Sequence, residues 1–405
     1  MYSHDTFGLG HIRRSRAIAN ALVARHPDVS ILIISGSPVI GNFDFGNGID
    51  YVRVPGVVKL PDGDYTSLNL NLDIEEAVRI RETLILSAAE SFRPDLFIVD
   101  KEPTGFRGEC LRTLAMLRKA GCRLVLGVRD VMDEPAFLVP EWQRKGAGAA
   151  LAEFYDEVWV YGLKEIYEPL AALDLPDRVH ASTHYTGYIG RSLPSESQLA
   201  RYPKLTRKPF LLVTTGGGGD GDGLVDWVID AYEAEGRDLT PALIVFGPFI
   251  ERAKRRDFHD RISRLPMLDA IAFDAKIEHL MHRAEAIVAM GGYNTFCEIL
   301  SFDKRALIVP RVKPRLEQFI RADAAERLGL AAMLVDPAET GGTHDPHAMA
   351  RAIRMLPQRR RPSEVMLPGL LDGLDNICAL SAPWIASGHG AASRQPPAAL
   401  GQAAE

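Results

Sequence analysis

Three glycine-rich stretches in this chain have the composition of loops that hold anions. They are His4-Asp5-Thr6-Phe7-Gly8-Leu9-Gly10-His11, Thr214-Thr215-Gly216-Gly217-Gly218-Gly219-Asp220-Gly221-Asp222-Gly223 and Met290-Gly291-Gly292-Tyr293-Asn294-Thr295. Glycine lets backbone N–H groups come close to a ligand at a helix N-terminus, where the peptide dipoles leave about half a positive charge. Taken singly, each stretch reads equally well as a plain tight turn. The spacing is neither G-x-x-x-x-G-K-[ST] nor a clean G-x-G-x-x-G, which argues against a P-loop nucleotide hydrolase and a dinucleotide-dependent dehydrogenase.

The third stretch says more because of its flanks. The apolar run Ala286–Met290 breaks at Gly291-Gly292 and a helical pattern follows, with Asn294 or Thr295 able to cap it and Glu298 one turn inside. Thr295 with Glu298 is a capping-box spacing and needs no ligand. At the C-terminal edge of a parallel sheet, the same loop faces the crevice where such folds bind ligands. There it would cradle phosphate, with Glu298 placed for ribose hydroxyls. The next apolar run ends in Pro310-Arg311-Val312-Lys313-Pro314-Arg315-Leu316-Glu317-Gln318. Its three cations suit a diphosphate, or form a solvated loop. Asp62-Gly-Asp64 and Asp220-Gly-Asp222 have a spacing that can hold Mg²⁺. Glycine beside both makes turn chemistry the simpler account, so no metal is expected.

Elements that would position these residues run through the whole chain. Short apolar runs at Ser30–Ser35, Asp50–Val54, Asp95–Asp100, Arg123–Val128, Glu157–Tyr161 and His180–Tyr185 predict strands in the first half. In the second they fall at Phe210–Thr214, Ala242–Phe246, Ala270–Phe273, Ala286–Ala289 and Ala306–Val309. Helical periodicity occupies Ile12–His26, Ile74–Phe92, Phe106–Ala120 and Glu141–Tyr155 in the first half. It recurs at Leu224–Glu235, Glu251–Leu265, Ile277–Arg283, Thr295–Phe302, Glu317–Leu328 and His347–Met355. Strands alternating with helices predict parallel sheets covered on both faces, an α/β chain of two Rossmann-like domains. The polar, Pro-containing stretch 191–209 is the expected linker between domains at 1–190 and 210–386, and the low-complexity residues 387–405 are expected to form a disordered tail. The strand feeding the first glycine loop has room only for Tyr2–His4, so a start further upstream is expected.

Composition closes off other classes. The chain has 405 residues, 46% of them hydrophobic, and its net charge is −6, from 47 Lys and Arg against 53 Asp and Glu. That leaves no overall basic field to draw nucleic acid. No apolar run is long enough to span a bilayer and no signal-peptide layout opens the chain. Cys110, Cys122, Cys297 and Cys378 are scattered, so buried free thiols and a cytoplasmic setting are expected.

Together Gly8-Leu9-Gly10-His11, Thr214-Thr215-Gly216-Gly217-Gly218-Gly219, Met290-Gly291-Gly292-Tyr293-Asn294-Thr295-x-x-Glu298 and the proline-bounded loop ending in Glu317-Gln318 resemble glycosyltransferases of the GT-B fold. The likeness is closest to family 28, which includes the enzyme that adds N-acetylglucosamine to the lipid-linked peptidoglycan precursor. It covers roughly residues 1–383 and is strongest in the second half. It implies two domains facing across a cleft, the second holding a nucleotide-sugar donor, UDP-linked by resemblance, and the first a glycan or lipid-linked acceptor. By position, Gly291, Gly292, Asn294 and Thr295 match the phosphate-binding helix start and Glu298 the ribose ligand. Glu317 and Gln318 match the readers of the donor sugar, and the segment from Phe273 to Ile277 the base-holding backbone. Gly216 and Gly217 join the donor loops. Gly8, Gly10 and Arg13 fall on the acceptor side. Where the family has small and apolar residues after its histidine, this chain has Arg13, Arg14 and Arg16, which departs from the pattern, so the peptidoglycan enzyme's acceptor is not carried over.

Glycosyl transfer needs an acceptor hydroxyl deprotonated as it attacks and a nucleoside diphosphate stabilised as it leaves. His11 matches the histidine of the family's first glycine loop and would be the base, with Asp100 orienting it. Glu102, Arg129 and Asp130 stand at similar strand ends, and a turn-forming role for His11 is the alternative. The helix start at Asn294–Thr295 and Arg311, Lys313 or Arg315 would meet the leaving charge. Arg13, Arg14 and Arg16 would grip an acceptor phosphate or an anionic membrane surface, or form a solvated face. A nucleotide-sugar 2-epimerase, a non-catalytic nucleotide-sugar-binding protein and a partner-binding scaffold are the rival readings. Product analysis separates the first, and loss of His11 the second.

Overall fold

The computed structural model describes residues 1–4, 10–60, 64–193, 202–216, 221–247, 250–274 and 276–386. The first domain opens with β1 (Tyr2–Ser3), α1 (Gly10–Arg25), β2 (Ile31–Ser35), β3 (Ile49–Arg53) and the hairpin β4 (Val57–Lys59) and β5 (Tyr65–Ser67). It continues through α2 (Ile74–Phe92), β6 (Leu96–Asp100), α3 (Leu111–Lys119), β7 (Arg123–Arg129), α4 (Pro135–Arg144), α5 (Ala147–Phe154), β8 (Glu157–Tyr161), α6 (Asp177–Ala181) and β9 (Thr183–Tyr185). Seven of these strands form a parallel sheet in the order β3-β2-β1-β6-β7-β8-β9. The two-residue β1 lies at its centre and carries the chain directly toward the first glycine loop.

The second domain runs β10 (Leu211–Thr214), α7 (Asp222–Glu235), β11 (Ala242–Val245), α8 (Arg252–Ile262), β12 (Leu268–Ile271), α9 (Ile277–Arg283), β13 (Ala286–Ala289) and α10 (Tyr293–Ser301). β14 (Arg305–Ile308), α11 (Glu317–Arg327), β15 (Ala332–Met333), α12 (Pro346–Met355) and α13 (Gly373–Ala386) follow. Its six-stranded parallel sheet has the order β12-β11-β10-β13-β14-β15. β10, β13 and β14 are buried at nearly every position, the continuous apolar pattern of strands covered on both faces.

Most expected elements stand within a few residues of where periodicity put them. The run at 141–155 differs: its helix starts earlier at Pro135 and is interrupted at Gly146, whose positive φ of 60° ends one helix and opens the next. The hairpin, β15 and α13 had no strong periodic signal. α13 follows the second domain in sequence but packs on α1 and β6 of the first. Its Ile377 and Cys378 join Ile18, Leu22 and Ile98 in one buried cluster with Tyr188, Tyr293 and Phe296, so a single apolar core runs through the interface. All four cysteines are buried free thiols, as expected. Within the 191–209 stretch, Arg191 docks on the second domain and Lys204–Arg207 forms a short 3₁₀ turn. The expected tail at 387–405 lies outside the described residues.

Candidate active site

Residues at the C-terminal edge of the first sheet meet those at the same edge of the second, and the junction is dense with charge. From the first domain come the start of α1, Asp100 closing β6, Arg129 closing β7 with residues 130–133 beyond it, and Tyr161 closing β8. From the second come Gly291–Glu298 and Arg315–Arg321.

α1 buries Ile12, Ser15, Ile18, Ala19 and Leu22 on one stripe. His11 and Arg14 sit at i−4 and i−1 from Ser15, on the edge of that stripe, and face the sheet end rather than water. His11 Nδ1 is hydrogen-bonded to Asp100 Oδ2. Arg14 holds the same carboxylate, Nε donating to Oδ1 at 3.0 Å and Nη2 donating to Oδ1 at 2.6 Å and to Oδ2 at 2.9 Å. Burial alone would raise the Asp100 carboxyl, but Arg14 and then His11 outweigh it and hold Asp100 well below the ordinary carboxylate range. Burial lowers the His11 imidazole to about 4, against the opposing pull of Asp100. At neutral pH the carboxylate is therefore ionised and the imidazole neutral. Nδ1 must carry the proton, and Nε2 carries the basic lone pair. Lys101, next after Asp100, has a positive φ of 71° that turns the chain sharply off the strand.

On the facing domain, Gly291 ends the buried β13 strand at φ 78°, where a Cβ would lie 2.5 Å from Ile308 Cγ2. Only glycine satisfies both the left-handed backbone and that approach. Gly292 is the N-cap of α10, so Tyr293, Asn294 and Thr295 fill its first turn. The capping box that Thr295 and Glu298 could have formed is not made, since Gly292 is the N-cap and no side chain caps the helix. A Cβ on Gly292 would meet nothing within 4 Å, which leaves open space in front of the helix start, and Thr295 Oγ1 lies 3.8 Å from the Cβ position of Gly216. Gly216 of the second glycine stretch and Thr295 of the third are thus neighbours. Gly8 and Gly217 lie outside the described residues.

The two helix starts meet directly. Asn294 Nδ2 donates to the Gly10 carbonyl at 3.3 Å, and Asn294 Oδ1 accepts from Arg191 Nη2 at 2.7 Å. Arg13 crosses to Glu298 at 2.6 Å and is also paired with Glu278. Burial raises the Glu298 carboxyl, with Arg13 opposing it. The solvated or membrane-facing arrangement expected for Arg13 and Arg14 is therefore not what forms: both are turned inward onto carboxylates, and Arg16 lies over Phe43. Two carboxylates invisible to helix periodicity are the reason, Asp100 at the end of β6 for Arg14 and Glu298 on the opposing wall for Arg13.

The basic loop divides. Arg311 and Lys313 line a 400 Å³ cavity at the sheet edge beside Asp222, Met290 and Asp336, while Arg315 reaches Asp133 at 3.2 Å and Glu141 at 2.9 Å in the first domain. Glu317 pairs with Arg129, and Gln318 Oε1 accepts from the Arg311 N–H at 3.1 Å. Burial would raise the Glu317 carboxyl, but Arg129, Arg321 and Arg311 bring it to about 2. Phe273 is 51% exposed in the segment before α9. Asp222 is bound to Lys254, the Asp64 carbonyl accepts from the Leu60 N–H at 2.7 Å, and Asp62 and Asp220 fall outside the described residues. Asp226, Asp230 and His344 bring three metal-ligand atoms together, but Arg261 already bonds both carboxylates.

Two contacts that the sequence did not predict hold the cleft together. Arg321 Nε and Nη2 each donate to Asp130 at 2.7 Å, with both side chains fully buried, and Arg321 Nη1 donates to the Gly291 carbonyl at 3.0 Å. Tyr293 Oη donates to the Tyr161 carbonyl at 2.9 Å. An arginine on the inner side of a helix otherwise rich in alanine (Arg321 in α11) was the available signal.

Two parallel-sheet domains whose strand ends meet across such a cleft have the architecture of the GT-B fold. Residues 213–356 match the glycosyltransferase family 28 C-terminal domain. Solved structures that share the fold include Os79 from O. sativa in complex with UDP (TM-score 0.62, 15% identity, 93% of this chain and 98% of that one). Others are CalG4, the calicheamicin glycosyltransferase (0.57, 15%, 97% and 98%), and MurG of Acinetobacter baumannii (0.53, 13%, 95% and 98%). Comparison with curated proteins finds no match. Among the described residues no helix is long and apolar enough to cross a membrane.

Proposed function

We propose that this glycosyltransferase moves a hexosyl group from a nucleotide sugar, UDP-linked, to a glycan or lipid-linked acceptor with inversion and without a metal. The observation that carries the reading is the His11–Asp100 pair standing directly across from the α10 start. His11 Nε2 takes the acceptor hydroxyl proton, the freed oxygen attacks C1, and the bond from C1 to the diphosphate breaks with its electron pair leaving on the nucleotide. The N–H groups of Tyr293, Asn294 and Thr295, with Arg311 and Lys313, receive that charge, so no divalent cation is required. Glu298 holds the ribose, Glu317 and Gln318 read the sugar hydroxyls, and the Phe273–Ile277 segment holds the base. In this reading donor entry displaces Arg13 from Glu298 and Arg129 from Glu317, exchanging cross-domain ion pairs for ligand contacts. The acceptor lies on the Gly8–Arg13 side, and any membrane contact is peripheral.

Calorimetric titration of UDP, GDP and dTDP into EDTA-treated protein, repeated with Mg²⁺, tests this. Saturable metal-free binding of UDP is expected. Binding only with Mg²⁺ would overturn the metal-free mechanism, and binding of none by folded protein would remove the donor site.

A further inference from the structure

A buried arginine touching both members of a proton-transfer pair is not required by that chemistry, and Arg14 does so here. Its side chain is 2% exposed. Nε and Nη2 donate to Asp100 three times, and Nη2 stands 3.0 Å from His11 Nδ1. Nη2 is thus directed at Nδ1 as well as at the carboxylate that Nδ1 faces, so one guanidinium nitrogen spans both members of the pair. The guanidinium also lies between two tyrosines, its carbon 5.8 Å from the Tyr161 ring centroid and 5.5 Å from that of Tyr293. Tyr161 is let in by Gly127, where a Cβ would fall 2.0 Å from the phenol oxygen. Tyr293 belongs to the other domain and begins the helix that faces the donor. Such flanking rings favour a desolvated cation.

We infer that Arg14 is a positioning residue: it locks the Asp100 carboxylate so that Asp100 fixes the His11 ring in one tautomer, and Tyr293 of the second domain completes the socket that holds it. The inference rests on His11 being the base. One ammonium could neutralise Asp100, but a guanidinium presents two N–H groups in a rigid plane and fixes both oxygens. With Oδ1 and Oδ2 so held, the carboxylate cannot rotate away from Nδ1, and the lone pair stays on Nε2.

The charged and titratable groups around the imidazole support this. Asp100 and Lys101 approach from β6, His4 from beyond β1 with ring centroids 5.8 Å apart, Arg14 from α1, and Tyr161 and Tyr293 stand behind Arg14. Lys101 and Arg14 oppose protonation of the ring and Asp100 favours it. Removing Arg14 deletes an opposing cation and releases Asp100 to pair with His11 alone, and both changes favour the imidazolium.

The test is nitrogen and carbon NMR of histidine-labelled protein, with His11→Gln to assign the ring. The native protein is expected to show one Nδ1–H tautomer. In Arg14→Gln both tautomers should appear and the His11 titration should rise by about one pH unit or more. In Arg14→Lys the charge remains, so the titration should stay within about half a unit while the Nε2–H tautomer appears. Either variant keeping the single native tautomer overturns the proposal, and Arg14→Lys alone decides it if Arg14→Gln does not fold. These spectra need no substrate. A native protein that gives them yet transfers no sugar would refute the catalytic reading and leave the positioning of the ring established.

Discussion

Replacing Arg321 by Met should be the most costly single change at the domain interface, and the structure supplies the size of the effect. Arg321 and Asp130 are both without exposed surface, joined by two hydrogen bonds of 2.7 Å, and they belong to different domains. In Arg321→Met the Asp130 carboxylate keeps the Tyr188 hydroxyl at 2.7 Å and loses the charge that compensates its burial. Stranding one member of a buried pair costs about 3–5 kcal/mol. With an unfolding entropy of about 2.1 cal/mol/K per residue over the 405 residues, the whole chain loses about 0.85 kcal/mol/K at its midpoint. The melting temperature should then fall about 4–6 °C if both domains unfold together, and about twice that if one unfolds alone. Differential scanning calorimetry reads both the shift and the number of transitions. The double variant Asp130→Leu/Arg321→Met should recover most of the loss, because neither charge is then desolvated. Amide exchange around Gly291 should still quicken in it, since the Arg321 donor to that carbonyl is gone. A single variant melting within about 1 °C of the native protein, or a double variant no better than the single, would refute the argument that this pair is a desolvated cross-domain lock.

Other outcomes follow from the same geometry. The Glu317 carboxyl lies at about 2 instead of 4.5, so its contribution is present above pH 4.5 and is lost as pH falls toward 2. That amounts to about 3 kcal/mol. Glu317→Gln should therefore flatten the acid side of the stability-against-pH curve in urea titrations, and an unchanged slope would contradict the assignment. His11→Gln should lower donor-sugar hydrolysis, with water standing in for the acceptor, by about 10²–10⁴-fold, leaving the calorimetric affinity for UDP within about twofold. Equal losses in both would make His11 a binding residue instead. Thr295→Val removes a hydroxyl from the first turn of α10 and should weaken UDP about tenfold, roughly 1.4 kcal/mol, whereas an unaltered affinity would move the phosphates elsewhere.

Much of this architecture is written locally. Buried runs such as Ala286–Ala289 and Arg123–Arg129 cannot be satisfied except as covered parallel strands, and alternation with helices leaves two Rossmann-like sheets as the outcome. Gly291 is equally legible, since a strand that must turn at once into a helix needs a residue tolerant of positive φ. The pairing of His11 with Asp100 could be anticipated because both stand at the same edge of one sheet, on α1 and β6. α13 could not be assigned from its place in the chain, because its apolar residues do not say which domain they cover.

What only the tertiary structure decided is where the charges go. Arg13 and Glu298 are 285 residues apart, Arg321 and Asp130 are 191 apart, and Arg129 and Glu317 are 188 apart. A short window around any one of them shows a charge on a helix or loop, which water would normally solvate. Arg14 reads as one more member of a basic run until Asp100, Tyr161 and Tyr293 close around it. Periodicity reports which face of an element is apolar, and so sets the sheets and their covering helices. The cost of burying a charge is met by partners brought from the other domain, and that complementarity exists only once both domains have folded and met.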